Sequence, residues 1–268
     1  MHKLFIYIQR IVPHHALSRL IGFLADSRLP WFKNLCIDTF INVFHVDMQD
    51  SARKKSSDFA NFNDFFTREL SAGARTINGN ITCPADGTVS AVGKIEHNQI
   101  FQAKELTYSL EKLLASDNVT GFIDGSFITI YLAPNNYHRV HFPTDASLQS
   151  SRYVPGKLFS VNQVTTNKVH DLFADNERLI CDTTTNEGSV SIIMIGAMIV
   201  AGIKTTWRAS AYPAAKFHSE TFDIPRQYQK GDELGQFHLG STVILLFQQH
   251  VSWRVQAGDS VCFGDSLA

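Results

Sequence analysis

Three short segments of this 268-residue chain concentrate side chains that can move protons or attack a carbonyl. Tyr131-Leu-Ala-Pro-Asn-Asn-Tyr-His-Arg-Val-His-Phe-Pro143 carries two imidazoles, His138 and His141, beside Arg139 on a loop pinned by Pro134 and Pro143. Imidazole titrates near neutrality, so the pair suits general acid–base work. A metal centre would want further ligands, and no third His or Cys has a claim, so no metal is expected. Pro84-Ala-Asp-Gly87 sets Asp86 in a tight turn before a strand, an arrangement that alone is usually structural. Phe237-His-Leu-Gly-Ser-Thr-Val-Ile-Leu-Leu-Phe247 places Gly240-Ser241-Thr242 ahead of a continuous apolar strand, which in isolation reads as a bulge. Joined to an acid and two imidazoles elsewhere, Ser241 becomes a candidate nucleophile, with a base and an orienting carboxylate to serve it. The Gly-x-Ser-x-Gly elbow of hydrolases is absent, because positions 239 and 243 are Leu and Val.

The elements that must hold these residues follow from composition and patterning. The chain is 44% hydrophobic and 18% charged, enough to bury a core and outside the disordered class. Its 24 Lys and Arg against 25 Asp and Glu leave a net charge of -1, without the basic excess of a general nucleic-acid binder. Cys36, Cys83, Cys181 and Cys262 lie far apart with no metal spacing and read as reduced thiols of a cytosol-facing protein. The longest apolar run, Val190 to Ile203, contains Ser191 and two glycines and is too short to span a bilayer as a helix.

Residues 1–46 read as two or three short amphipathic helices punctuated by Pro13 and Pro30, with Leu17, Leu20, Ile21 and Leu24 at helical spacing. Lys3, Arg10, Arg19, Arg28 and Lys33 stand against Asp26 and Asp38, five charges against two, for a local balance of +3. With Trp31, Phe32, Phe40 and Phe44 this segment can lie in a membrane interface or cap a core, and the pattern alone leaves both open. From residue 47 onward short β-branched runs recur, at Thr88 to Val92, Phe127 to Leu132, Val190 to Ile195, Ile199 to Ile203 and Thr242 to Phe247. Only Leu106 to Ala115 shows a helical pattern there. The expected fold class is α+β, a predominantly antiparallel sheet with an N-terminal helical layer.

Read in order, Phe62-Asn-Asp-Phe-Phe-Thr-Arg68, Pro84-Ala-Asp-Gly87, Tyr137-His-Arg-Val-His141 and Leu239-Gly-Ser-Thr242 resemble the bacterial phosphatidylserine decarboxylases. Tyr153-Val-Pro-Gly156, Leu158-Phe-Ser-Val-Asn162, Asn176-Glu-Arg178 and Ile195-Gly-Ala197 support the match, which runs from the N-terminal helices to about Phe247. The resemblance implies a pyruvoyl cofactor made from Ser241 by self-cleavage at Gly240–Ser241, through an N-to-O acyl shift and β-elimination, which divides residues 47–268 between chains 1–240 and 241–268. It assigns His141 as general base, Asp86 as the carboxylate that holds it in a charge relay, and His138 as proton donor in the decarboxylation. The substrate, phosphatidylserine, then forms a Schiff base with the pyruvoyl group and leaves as phosphatidylethanolamine and carbon dioxide. A two-chain-acyl substrate turns residues 1–46 into a membrane-associating segment on an anionic surface, with the protein peripheral on the cytoplasmic face of the cell membrane. Arg68 and Lys168 are read as solvated surface cations in preference to phosphate contacts. The cleaved chains are expected to stay together as a heterodimer, with further dimerisation also implied. Asn136 departs from the family, which usually has an acid there, and this is expected to lower the pKa of His138. The alternatives are a serine hydrolase using Ser241, His141 and Asp86, or a non-catalytic lipid-binding relative.

Overall fold

The computed structural model describes Gln9 and residues 14–103, 106–197, 202–212, 216–237 and 241–268, with backbone alone for 14–17 and 19. Gly240, the expected cleavage partner of Ser241, falls outside them, as do Lys3, Arg10 and most of the run from Ile199 to Ile203.

The strands are β1 (Gly87–Lys94), β2 (Gln99–Ala103), β3 (Leu106–Ser109), β4 (Ser126–Leu132), β5 (Arg139–His141), β6 (Ala146–Val154), β7 (Arg178–Thr185), β8 (Gly188–Gly196), β9 (Ile203–Thr205), β10 (His218–Tyr228), β11 (Glu233–Phe237), β12 (Ser241–Phe247) and β13 (Ser260–Val261). Eight of them form one antiparallel sheet in the order β10-β6-β7-β8-β12-β4-β1-β13. Its middle is covered on both faces. Val243, Leu245, Ile192 and Met194 join one apolar cluster, while Ile244, Leu246, Ile193 and Ile195 join the other. Two-sided burial is why β12 reads as an unbroken apolar run where a half-exposed strand would alternate. Each such aliphatic side chain contributes roughly 1.5–3 kcal/mol on burial.

Two helices, α1 (His14–Ala25) and α2 (Pro30–Phe44), precede the sheet, with Pro30 in the first turn of α2 where its missing N–H is harmless. His45 closes α2 in the left-handed region, at φ 54°, and returns its N–H to the Ile41 carbonyl. The short α3 (Phe62–Phe66) starts where the Asn61 side chain accepts the Asp64 N–H at 2.8 Å. Ile37, Val46, Phe59 and Phe65 bury themselves with Phe40 and Phe62 in a small separate core, the rings meeting mostly edge to face. Phe23 and Trp31 point outward, 77% and 69% exposed, with Leu20, Leu29, Leu35 and Val43 also exposed. Lys33 does not contribute to an outer basic face: it is buried, and its Nζ donates to the Asn34 side chain at 2.6 Å and the Ser56 carbonyl at 3.0 Å.

The helical pattern over Leu106 to Ala115 is half right. Leu106–Ser109 is strand β3, paired with β2, and only α4 (Leu110–Leu114) is helical. Ser109 makes the switch, ending the hairpin and accepting the Lys112 N–H as N-cap. Two single-turn helices follow, α5 (Gln163–Thr166) and α6 (Leu172–Asp175), and α6 packs Leu172, Phe173 and Ala174 into the second apolar cluster. Among the described residues no helix is long and apolar enough to cross a membrane.

Candidate active site

A small antiparallel sheet, β5-β11-β9, delivers the histidines. β5 pairs with β11 from Arg139↔Gln236 to His141↔Glu233, and the Phe237 N–H donates to the His138 carbonyl at 3.0 Å. Gly235 lets this happen, because a Cβ there would stand 2.4 Å from the Lys204 carbonyl oxygen on β9. Phe237 is four residues from Ser241, and Ser241 lies opposite Leu132 in the large sheet, six residues before His138. Both ends of the His138 segment are therefore tied to the segment that leads into Ser241.

Residues three apart on a strand face opposite sides, so the imidazoles have disjoint surroundings. His138 is fully buried, its ring centroid 4.0 Å from that of Phe66. Its Nδ1 lies 2.9 Å from the Asn136 carbonyl, which only accepts, so Nδ1 carries the proton and Nε2 keeps its lone pair. That Nε2 is buried without a partner among the described residues. Burial pushes the His138 pKa down to about 3, helped by the nearby Arg68 charge and opposed by the bond to Asn136.

His141 donates from Nδ1 to the Gly231 carbonyl at 2.8 Å, and its Nε2 accepts the Tyr137 O–H at 3.0 Å. Its ring stacks on Phe263, centroids 3.6 Å apart. Burial lowers its pKa to about 4, with Arg139 acting in the same direction and the Gly231 bond against it. Both histidines are thus neutral at pH 7, as a proton acceptor must be.

Asp86 does not hydrogen-bond to His141 in the single chain. Its carboxylate accepts the Phe263 N–H at 2.7 Å and an Arg75 Nη2–H at 3.1 Å, and Arg75 also binds Asp50. Asp86 therefore reaches His141 through Phe263, whose backbone it anchors and whose ring supports the imidazole. Ser241 opens β12, is fully buried, and its Oγ has no partner among the described residues. A buried hydroxyl left unpaired is costly. The strand continues from Ser241 without turning into a helix, so the strand–turn–helix context of a hydrolase nucleophile is absent and the hydrolase alternative loses its support.

Several contributors were not singled out from sequence. Tyr137 lies within a quoted motif without a role there, and its signal is the spacing of four from His141, whose Nε2 it reaches. Phe263 lies in the tail beyond Phe247, where no motif pointed. Asn136 contacts His138 through its backbone carbonyl, while its side chain accepts the Ala133 N–H at 2.7 Å. Arg68 corrects the surface expectation: it is 3% exposed. Lys168 is exposed as expected.

Comparison with known proteins gives the following. A sequence profile described as phosphatidylserine decarboxylase matches residues 62–268, and a second, described as PSD, matches residues 4–45. The tail after Phe247 therefore lies inside the matched region, further than the motifs alone reached. A protein of Stutzerimonas stutzeri named phosphatidylserine decarboxylase proenzyme is 44% identical over 278 residues, 99% of this chain and 94% of its own. Those of Pseudomonas aeruginosa, 45% over 279 residues (99% and 96%), and Alcanivorax borkumensis, 46% over 256 residues (92% and 88%), carry the same name.

Proposed function

The chain belongs to the phosphatidylserine decarboxylase family, and from that membership we propose that it cuts itself between Gly240 and Ser241 and then converts phosphatidylserine to phosphatidylethanolamine and carbon dioxide. The observation that carries this reading is the Ser241 hydroxyl, buried and unpartnered at the head of a central strand. A permanent hydroxyl there would be a standing cost, whereas one consumed in maturation is not.

In the first reaction the Ser241 Oγ attacks the Gly240 carbonyl carbon, the peptide nitrogen takes up a proton, and the peptide bond becomes an ester. Loss of the Ser241 Cα proton then expels the Gly240 carboxylate, and water hydrolyses the resulting dehydroalanine to a pyruvoyl group and ammonia. His141 is the base of this sequence, neutral at pH 7, and the Tyr137 O–H that its Nε2 accepts must turn away for that nitrogen to take a proton. Asp86 positions it through Phe263. A pyruvoyl carbonyl at residue 241 supplies an electrophile for the substrate amine and a sink for the electrons left by carbon dioxide. The position suits such a group, because a ketone has no proton to satisfy where the Ser241 Oγ has no partner. His138 takes up on Nε2, which has no partner among the described residues, the proton that the substrate ammonium gives up as it condenses, and returns it to the former α-carbon after carbon dioxide leaves. Intact-mass measurement tests the reading: wild type gives fragments of 240 and 28 residues, and Ser241→Ala stays whole and releases no carbon dioxide. An uncut wild-type chain that still decarboxylates phosphatidylserine would overturn it.

The cleaved chains stay together as a heterodimer, since β12 is paired with β8 and β4 along its whole length. The exposed apolar side chains of α1 and α2, Phe23 and Trp31 foremost, form a peripheral docking face for the anionic cytoplasmic surface of the cell membrane. The four free thiols are in keeping with that compartment. Deleting residues 1–30 is expected to release the protein from anionic vesicles in a sedimentation assay, and unchanged binding would refute the docking face.

A further inference from the structure

Among the described residues two arginines are almost fully buried, and they are satisfied very differently. Arg178 spends its N–H groups on the carbonyls of Leu113, Ala174, Asn176 and Lys112, at 2.6–3.0 Å. It is a strut between backbone segments. Arg68 uses Nη2 alone, on the carbonyls of Asn135 at 3.0 Å and Asn136 at 3.2 Å, and its Nη1 is buried with no partner. Its guanidinium approaches the Phe65 ring at 5.6 Å, and no carboxylate hydrogen-bonds to it. Asp86 and Asp47 attract it only through space, and a buried cation with no carboxylate in hydrogen-bond contact is costly, the kind of group that a site receiving an anion retains.

The placement is specific. The Asn136 carbonyl is shared by Arg68 Nη2 and His138 Nδ1, so the guanidinium and the imidazole hang from one oxygen. Asn135, the other anchor, is three residues beyond Leu132, the partner of Ser241 in the sheet. Arg68 Nη1, His138 Nε2 and Ser241 Oγ are thus three buried, unpartnered polar atoms on segments tied directly together.

We propose that Arg68 is the anion subsite of this active site, its free Nη1 receiving a phosphodiester oxygen of the substrate headgroup. The inference rests on the decarboxylase reading. A headgroup bearing a serine offers two anions, a carboxylate and a phosphodiester, and either matches a guanidinium. The carboxylate is the group that departs. An ion pair to it is strongest before reaction and weakens as its charge moves into the sink, so it would hold the substrate back. The phosphodiester is unchanged throughout and lies only a few bonds from the amine. Arg68 therefore binds it equally in substrate, transition state and product, and acts on affinity more than on turnover.

The test uses self-cleaved wild type, Arg68→Lys and Arg68→Met, checked for cleavage on a denaturing gel, with dioctanoyl phosphatidylserine as substrate and dioctanoyl phosphatidylethanolamine as inhibitor. The product analogue keeps the phosphodiester and lacks the carboxylate. The expected result for Arg68→Met is a rise of about tenfold or more in KM and in the inhibition constant together, with kcat moving much less and Arg68→Lys intermediate. A raised KM with an unchanged inhibition constant would assign Arg68 to the carboxylate and overturn the proposal. A fall in kcat with both constants unchanged, or failure of both variants to cleave, would make Arg68 a prop for the His138 loop and overturn it equally. Wild type that cleaves and releases carbon dioxide leaves the underlying reading intact in every one of these cases; wild type that releases none defeats that reading instead.

Discussion

Burying two neutral histidines makes the fold acid-sensitive by an amount that can be worked out. His138 falls from an ordinary 6.5 to about 3 and His141 from 6.5 to about 4, both chiefly because burial penalises the charged ring. Below pH 6.5 the unfolded chain takes up protons at these positions that the folded chain refuses. This stability is fully present well above 6.5 and is lost as pH falls through that value, until each folded-state value is reached. The slope approaches about 1.4 kcal/mol per pH unit per histidine once pH is below the unfolded value, so the pair removes about 4 kcal/mol between pH 7 and 5. Whole domains are held by about 5–15 kcal/mol, so this is a large share. Ordinary carboxylates titrate mostly below that window. Urea unfolding of the uncut Ser241→Ala chain at pH 7 and pH 5 reads the loss directly. Adding His138→Asn, whose amide retains the donor to the Asn136 carbonyl, is expected to abolish about half of it. If the His138→Asn chain loses as much stability on acidification as its parent, His138 accepts a proton normally in the fold, and the argument from burial fails.

Three further outcomes follow from particular contacts. Tyr137→Phe removes the one donor to a buried His141 Nε2 and is expected to lower unfolding free energy by about 1–3 kcal/mol, read by denaturant melts; a neutral effect would mean the phenol is not engaged. Asn136→Asp sets a carboxylate near His138, which raises the His138 pKa and moves the acidic limb of the pH–kcat profile upward; superimposable profiles would dismiss the influence of position 136. Gly235→Ala forces β11 away from β9 and so disturbs the Phe237 bond to His138, slowing self-cleavage on a timed gel although residue 235 touches no reacting group; cleavage at the wild-type rate would show that the small sheet does not hold the site.

What was legible in the sequence follows burial. β1, β4, β8 and β12 announced themselves because their apolar residues face two cores and run together. β6 and β10 did not. β6 alternates buried positions with Ser and Gln, and β10 is a sheet-edge strand with Ile224 85% exposed and a register shift between Thr221 and Arg226. The chemistry-bearing residues were legible as types in motifs, but their partners were not. That Asp86 meets Phe263 depends on β13 closing against β1, a contact across more than 170 positions that no local pattern encodes. The burial of Arg68 was missed for the opposite reason: a charged residue in a loop reads as solvated unless the fold is known.

The position of β12 also gives the protein a history. While the chain is continuous, that strand takes its place between β8 and β4 as part of one molecule finding its own shape. On the proposed cleavage before residue 241, the same strand belongs to a separate peptide of 28 residues, and regaining its slot would require a second-order encounter and the parting of two bonded neighbours. The mature enzyme can therefore be folded only once. Its persistence is governed by the rate at which that middle strand is lost, and heat or denaturant that releases it erases the molecule for good.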